Sequence, residues 1–303
     1  MMTKESILAA IDEHDIRFIE LWFTDILGVV KNVVLPAHKF ERVVERGMHF
    51  DGSSVDGFAR VVESDMLLYP DLDTFVIFPW TTDSGDRTAR LICNVYTPQG
   101  DPFIGDPRAA LINVIDEAKE MGFAFKTGIE MEFFLFQRDA KGRPVIDAPY
   151  DEASYFEMTS THTSGLRRHM LRTLEEMSIP VYSTHSEIGH GQHEIDFQYG
   201  DALKTADRIM TARVVLKLIA QQHQLHCTFM PRPTEEMPGS GMHTHQSLHH
   251  LESGENAFAD GNHEYGLSEI AQQFLAGQLS HARGMAAVIA PLVNSYKRLG
   301  TSF

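Results

Sequence analysis

The run Phe123–Phe136 is apolar along most of its length, yet it carries two acids, Glu130-Met-Glu132, within it. It reads as one long strand or a strand pair. Side chains alternate faces along a strand, so Glu130 and Glu132 point the same way out of an element that is otherwise core. Two carboxylates on one face repel, and burying either without a partner costs several kcal/mol. A metal cation is the most economical partner for both. An exposed strand face lined by acids is the competing reading.

Two further clusters bear on that choice. In Glu187-Ile-Gly-His-Gly-Gln-His-Glu194-Ile-Asp-Phe197, a Gly-rich turn joins predicted strands Val181–Glu187 and His193–Tyr199. The turn would bring Glu187 and Glu194 back towards one another, and hard ions such as Mg²⁺ want several carboxylate oxygens. His185, His190 and His193 lie nearby and suit ligands, groups behind ligands, or surface residues. In Pro238-Gly-Ser-Gly-Met-His243-Thr-His245, both histidines share one face of a predicted strand Met242–Leu248. The Gly-x-Gly turn before it lets backbone N–H groups approach a ligand. A His-x-His pair also suits Zn, Fe or Cu in jelly-roll barrels. There an acid usually follows closely, whereas here the next is Glu252, beyond His249 and His250. Alone, Asp51-Gly-Ser-Ser54 in the loop Phe50–Gly57 is an ordinary turn. Lys297 and Arg298 suit the end of a helix, where cations meet the negative end of the dipole.

The first hundred residues read as a small mixed α/β unit. Ile7, Leu8 and Ile11 fall at helical spacing after Thr3 and Ser6. Strands are expected over Arg17–Thr24 and Val29–Leu35 around an Asp25–Gly28 turn, then a short helix near Ala37–Glu45. Strands Thr74–Pro79 and Ala89–Tyr96 follow. The turn-dense segment Thr97–Pro102 marks a boundary between domains at 1–100 and 105–303. Beyond it, helices are expected over 106–121, with Pro107 in its first turn, then Thr159–Met177, Asp201–Leu225 and Gly266–Ile289. The 303 residues carry a net charge of −16, which repels nucleic acid and anionic membranes. No window approaches the roughly 18 apolar residues of a membrane span, and no secretory signal is visible. Cys93 and Cys227 form no C-x-x-C pattern and suit a reducing compartment. A cytoplasmic, soluble protein is expected.

Six segments, taken in order, resemble the type I bacterial and archaeal glutamine synthetases. They are Asp51-Gly-Ser-Ser54, Gly128-Ile-Glu-Met-Glu-Phe-Phe-Leu-Phe136, Gly191-Gln-His-Glu-Ile-Asp-Phe197, Thr228-Phe-Met-Pro231, Gly239-Ser-Gly-Met-His-Thr-His-Gln-Ser-Leu248 and Asn294-Ser-Tyr-Lys-Arg-Leu299. The likeness runs from about Thr3 to the last residue. It implies an α+β fold: an N-terminal β-grasp domain, then a catalytic domain of curved antiparallel sheet with flanking helices, the latter incomplete. It also implies ATP-dependent ligation of ammonia to glutamate through γ-glutamyl phosphate, with ATP as co-substrate and two Mg²⁺ or Mn²⁺ ions per site. The partners implied are glutamate, ammonium and ATP in a homo-oligomer, a dodecamer in the family.

Carried over residue by residue, the resemblance assigns Glu132, Glu187 and Glu194 to the metal nearer glutamate, and Glu130 and His243 to the metal nearer the phosphates. Gly239 would lie along glutamate, while Tyr199, His245 and Ser247 would contact nucleotide. Arg298 would steady the transferring phosphoryl group, and Asp51 of a neighbouring subunit would take a proton from ammonium. Tyr182, Ser186 and Pro238 depart from the family's usual Glu, His and Asn. The family continues past Arg298 with a flap glutamate, further arginines and a third carboxylate for the second metal, so the chain reads as C-terminally truncated. A ligase joining glutamate to an organic amine and an inactive binding or assembly homologue are the alternatives.

Overall fold

The computed structural model describes residues 1–55, 57, 65–82 and 84–300. Asp56 of the predicted Phe50–Gly57 loop and the terminal Thr301–Phe303 lie outside them. The chain divides into two compact units, Met1–Glu117 with Glu176–Ser178, and Ala118–Glu175 with Ile179–Phe303.

The first unit opens with α1 (Lys4–Glu13), started by a reciprocal cap. Thr3 Oγ1 accepts the Ser6 N–H at 3.2 Å, and Ser6 Oγ accepts the Thr3 N–H at 3.0 Å, satisfying two donors that a helix start leaves orphaned. Strands β1 (Ile16–Thr24) and β2 (Val30–Pro36) form a hairpin. Its turn is tied by Asp25, whose carboxylate accepts the N–H groups of Leu27 and Val29 at 2.9 Å each. After α2 (Phe40–Arg46) come β3 (Met48–Asp51), β4 (Asp65–Thr81) and β5 (Arg87–Tyr96), then α3 (Pro107–Glu120). The sheet order is β2-β1-β5-β4-β3, with β1 and β5 parallel and the other pairs antiparallel, the β-grasp arrangement.

The predicted Thr74–Pro79 strand is only the end of β4. The first half of β4 holds Asp65, Pro70, Asp71 and Asp73, residues that strands disfavour. Pairing with β5 carries them, with register shifts between Asp71 and Val76. Ile19, Leu21, Phe40, Leu68 and Leu91 form a fully buried core. Leu91→Ala should cost about 2–5 kcal/mol in urea denaturation, as large-to-small core changes do. Val34→Thr, on a half-exposed position of edge strand β2, should stay within about 0.5 kcal/mol.

The second unit is built on β6 (Phe123–Arg138), one unbroken strand. Around it lie β7 (Pro144–Pro149), α4 (Thr161–Glu176), β8 (Val181–Ser186), β9 (Gln192–Phe197), β10 (Gly200–Asp201), α5 (Ala202–Gln222), β11 (Leu225–Thr228) and β12 (Met242–His250). The helices α6 (Glu269–Ile289) and α7 (Val293–Leu299) follow. Every pairing with β6 is antiparallel: β12 and β11 take one side, and β10, β9 and β7 take the other. Phe133, Phe134, Leu135 and Phe136 are fully buried. Helix α5 packs on β6, β10 and β11, burying Ile209, Ala212, Val215, Leu216 and Ile219 at helical spacing. The predicted last helix starts at Glu269 rather than Gly266, because Ser268 caps it by accepting the Ala271 N–H at 3.2 Å. Among the described residues, no helix is long and apolar enough to cross a membrane.

Candidate active site

Strand register assembles the site. Glu130 of β6 lies between His243 of β12 on one side and Asp196 of β9 on the other. Glu132 lies opposite Glu194, and Glu194 opposite His185 of β8. Residues opposite one another in a sheet share a face, as do residues two apart in one strand. Glu130, Glu132, His185, Glu194, Asp196, His243 and His245 therefore project from one face.

Two groups each offer three ligand atoms within 4.8 Å of one another: Glu130, His243 and His245 on that face, and His185 and Glu194 of that face with Glu187 from the turn after β8. In the first, His243 Nδ1 is 2.9 Å from Glu130 Oε2 and His245 Nε2 is 2.7 Å from Oε1. His245, given by the resemblance to the nucleotide, thus lies on the same carboxylate as His243. In the second, His185 Nδ1 is 3.8 Å from Glu187 Oε1, and Glu187 Oε2 accepts the Ile188 N–H at 2.9 Å. Glu132 stands beside this second group, opposite Glu194.

The remaining predicted residues fall as follows. Gly239 leaves no room for a side chain: a Cβ there would sit 2.6 Å from both Arg298 Cγ and the Pro231 carbonyl oxygen. At Gly241 it would meet Glu132 Oε1 at 2.9 Å and Arg298 Nη2 at 3.2 Å, so Arg298 of α7 borders the carboxylates. Lys126 Nζ lies over the Tyr199 ring, 5.8 Å from its centroid. Lys126 also pairs in register with Ser247, placing Tyr199, Ser247 and a cation at one end of β6. Asp51 belongs to the first unit, at the end of β3. Its carboxylate accepts the Ser53 N–H at 2.8 Å, and hydrogen bonds from Ser53 hold it below the usual carboxylate range.

Several residues on which the site rests had no assigned role in the sequence reading. Gln192 Nε2 donates to Glu132 Oε2 at 2.8 Å and to the Gly239 carbonyl at 3.1 Å, tying the second group to the glycine loop. Asn294 clamps that loop by bonding both the N–H and C=O of Arg232 at 2.8 Å. Phe156 stacks on His185 at 4.3 Å between centroids. It holds a φ of 57°, uncommon and strained for an aromatic residue, while its N–H donates to the Ser186 carbonyl at 3.1 Å. Ser186 is buried and accepts a 3.2 Å bond from Arg167 Nη1.

The two groups differ in charge. Burial, with Asp196 and Glu187 close by, pushes the Glu194 carboxyl up to about 8. Burial also raises Glu132, Glu187 adding to the rise and Arg298 opposing it. Glu130 is held below the usual range, chiefly by its hydrogen bond with His245. A crowded carboxyl such as Glu194 that keeps a proton at neutral pH, with ligand atoms already converged, fits a divalent cation in place of the proton. The second group, flanked by Glu132, suits an oxygen-seeking ion. The first, with two imidazoles and one carboxylate, suits an ion that accepts nitrogen.

Comparison with known proteins places this geometry in a family. The glutamine synthetase beta-Grasp domain model matches residues 15–98, and the glutamine synthetase catalytic domain model matches residues 104–303. The chain is 50% identical over 298 residues to a glutamine synthetase of Clostridium saccharobutylicum, covering 98% of this chain and 66% of that relative. It is 50% identical over 299 residues to one of Staphylococcus aureus, with the same shares. The chain thus spans 66% of the length of these relatives. A solved structure of GmaS without ligand superposes at a TM-score of 0.86 and 32% identity, over 99% of this chain and 69% of that one. A cryoEM structure of Plasmodium falciparum glutamine synthetase, 24% identical, superposes at 0.89 over 100% of this chain and 64% of that one. It shows a shared fold.

Proposed function

This chain belongs to the glutamine synthetase family, and from that premise we propose that the protein joins ammonia to the side-chain carboxylate of glutamate at the expense of ATP. The observation that carries the reading is the gathering of two three-ligand groups along one sheet face and the turn after β8, with Arg298 beside Glu132. Bound there, two Mg²⁺ or Mn²⁺ ions supply positive charge against the nucleotide phosphates and the glutamate carboxylate. Glu130, His243 and His245 would hold one ion, and Glu187 and Glu194, with Glu132 and His185, the other.

A carboxylate is a poor electrophile. A glutamate side-chain oxygen first attacks the γ-phosphorus of ATP, ADP leaves, and γ-glutamyl phosphate forms. Arg298 would offset charge on the transferring phosphoryl group, the kind of positioning on which such transfers depend. The backbone at Gly239 would lie along glutamate, and Tyr199 and Ser247 would hold the nucleotide. Ammonium must lose a proton before it can attack the acyl carbon and expel phosphate. Asp51, supplied by a neighbouring subunit of a homo-oligomer, would accept that proton. The acidic charge and unpaired cysteines support a cytoplasmic setting.

Phosphate release measured with ATP, glutamate and either ammonium or an alkylamine tests the proposal. Ammonium-dependent release with glutamine as product supports it. Release only with an alkylamine would make the protein a glutamate–amine ligase, and nucleotide binding without turnover would leave the binding-homologue reading.

A further inference from the structure

We propose that His169 and His223 form a separate site for a nitrogen-preferring divalent cation of the Zn²⁺, Ni²⁺ or Cu²⁺ class, where α4 meets the end of α5. His169 lies in the middle of α4, and His223 is the residue on which α5 ends. Their rings meet at 62°, and His169 Nδ1 faces His223 Nε2 at 3.2 Å. Without an ion, this contact is one N–H shared between two imidazoles. A metal in place of that proton sits off the line between the two nitrogens, so the rings turn about their side-chain bonds to face it. Two nitrogens 3.2 Å apart, each at a Zn–N bond length of about 2.0–2.1 Å, subtend roughly 100° at the ion, close to the tetrahedral angle.

Ligand chemistry sets the class of ion. Two imidazoles and no carboxylate offer nothing to Mg²⁺ or Ca²⁺, which take oxygen ligands, but suit Zn²⁺, Ni²⁺ and above all Cu²⁺. The pair is open to solvent, so water can complete the coordination shell. Location adds to the attraction. His223 sits at the C-terminus of a 21-residue helix, where the partial negative charge of unpaired carbonyls favours a cation.

A Cu²⁺ titration of the protein in saturating Mg²⁺, followed by visible absorption and electron paramagnetic resonance, tests the site. His169→Gln and His223→Gln are each expected to weaken one Cu²⁺ by at least about tenfold, since even groups behind a metal ligand are worth that much. Each should also remove a nitrogen from its hyperfine pattern. His243→Gln should leave that copper unchanged and alter a different one. Thermal unfolding in EDTA checks that both variants are folded. Should His223→Gln unfold, His169→Gln decides. Folded variants that bind Cu²⁺ as the parent does, with the same hyperfine pattern, would overturn the proposal.

Discussion

Glu187→Ala should abolish the tighter of the two divalent-cation sites. Glu187 sits with Glu194 and His185 in one ligand group, with Glu132 opposite Glu194 across the strand pair. There Glu187 and Glu194, with Glu132 alongside, bring negative charge to one ion. Loss of a ligating carboxylate should lower Mn²⁺ affinity by at least about 100-fold, above the cost of losing a group that merely orients a ligand. The group Glu130, His243 and His245 has a single carboxylate and should bind Mn²⁺ more weakly. Its binding should survive Glu187→Ala and strengthen when nucleotide phosphates add oxygen ligands. The metal-free variant is expected to unfold at a temperature close to the parent's, because removing Glu187 relieves its charge repulsion of Glu132 while removing its hydrogen bond with Glu194, two effects of opposite sign. Calorimetric titration with Mn²⁺, beside thermal unfolding in EDTA, reads both effects. Equal affinities for the two sites in the parent, or an undiminished tight site in the variant, would show the assignment of ligands to be wrong.

How much of this was legible in the sequence depends on the distance over which each feature is determined. The pairing of Glu130 with Glu132, and of His243 with His245, follows from the two-residue period of a strand, which is local. So do the reciprocal cap at Thr3 and the turn at Asp25. That His243 and His245 lie on Glu130 follows from the register of β12 against β6, set between residues 113 and 115 positions apart. No local pattern carries such a register. The sequence offered His243 and His245 as a pair and the resemblance gave His245 to the nucleotide, but neither showed that both rings meet on Glu130. Strands β3, β7 and β11 were missed for a related reason. They are four to six residues long, β7 begins and ends in proline, and each exists through its pairing with β4 or β6. Phe156 gave no signal at all, because its left-handed backbone is held by a bond to Ser186 across the fold. Resemblance to a family supplied roles for residues whose contacts only the fold displays, Arg298 beside Glu132 among them.

The same crowding of acids sets a pH dependence. Glu194 ordinarily titrates near 4.5 and is pushed up to about 8 in the fold, chiefly by burial. A carboxyl whose folded pKa is raised favours the protonated fold. Its stabilising contribution is full below the unfolded pKa, declines as pH climbs, and is gone above about 8. In EDTA, the unfolding temperature should therefore fall between pH 5 and 8, and Glu194→Gln should flatten that fall. A cation needs the carboxylate and must expel the proton, so Mn²⁺ affinity at the second group should rise about tenfold per pH unit as pH approaches 8, then level off. Binding at pH 6.5 should release about one proton, and binding at pH 9 almost none, as titrations in buffers of different ionisation enthalpy would register. Glu130, held low by His245, contributes no such slope at the first group above pH 6. An affinity for Mn²⁺ at the second group that stays constant from pH 6 to 8, with no proton released, would mean that Glu194 is already ionised in the metal-free protein and that the crowding is relieved by some other partner.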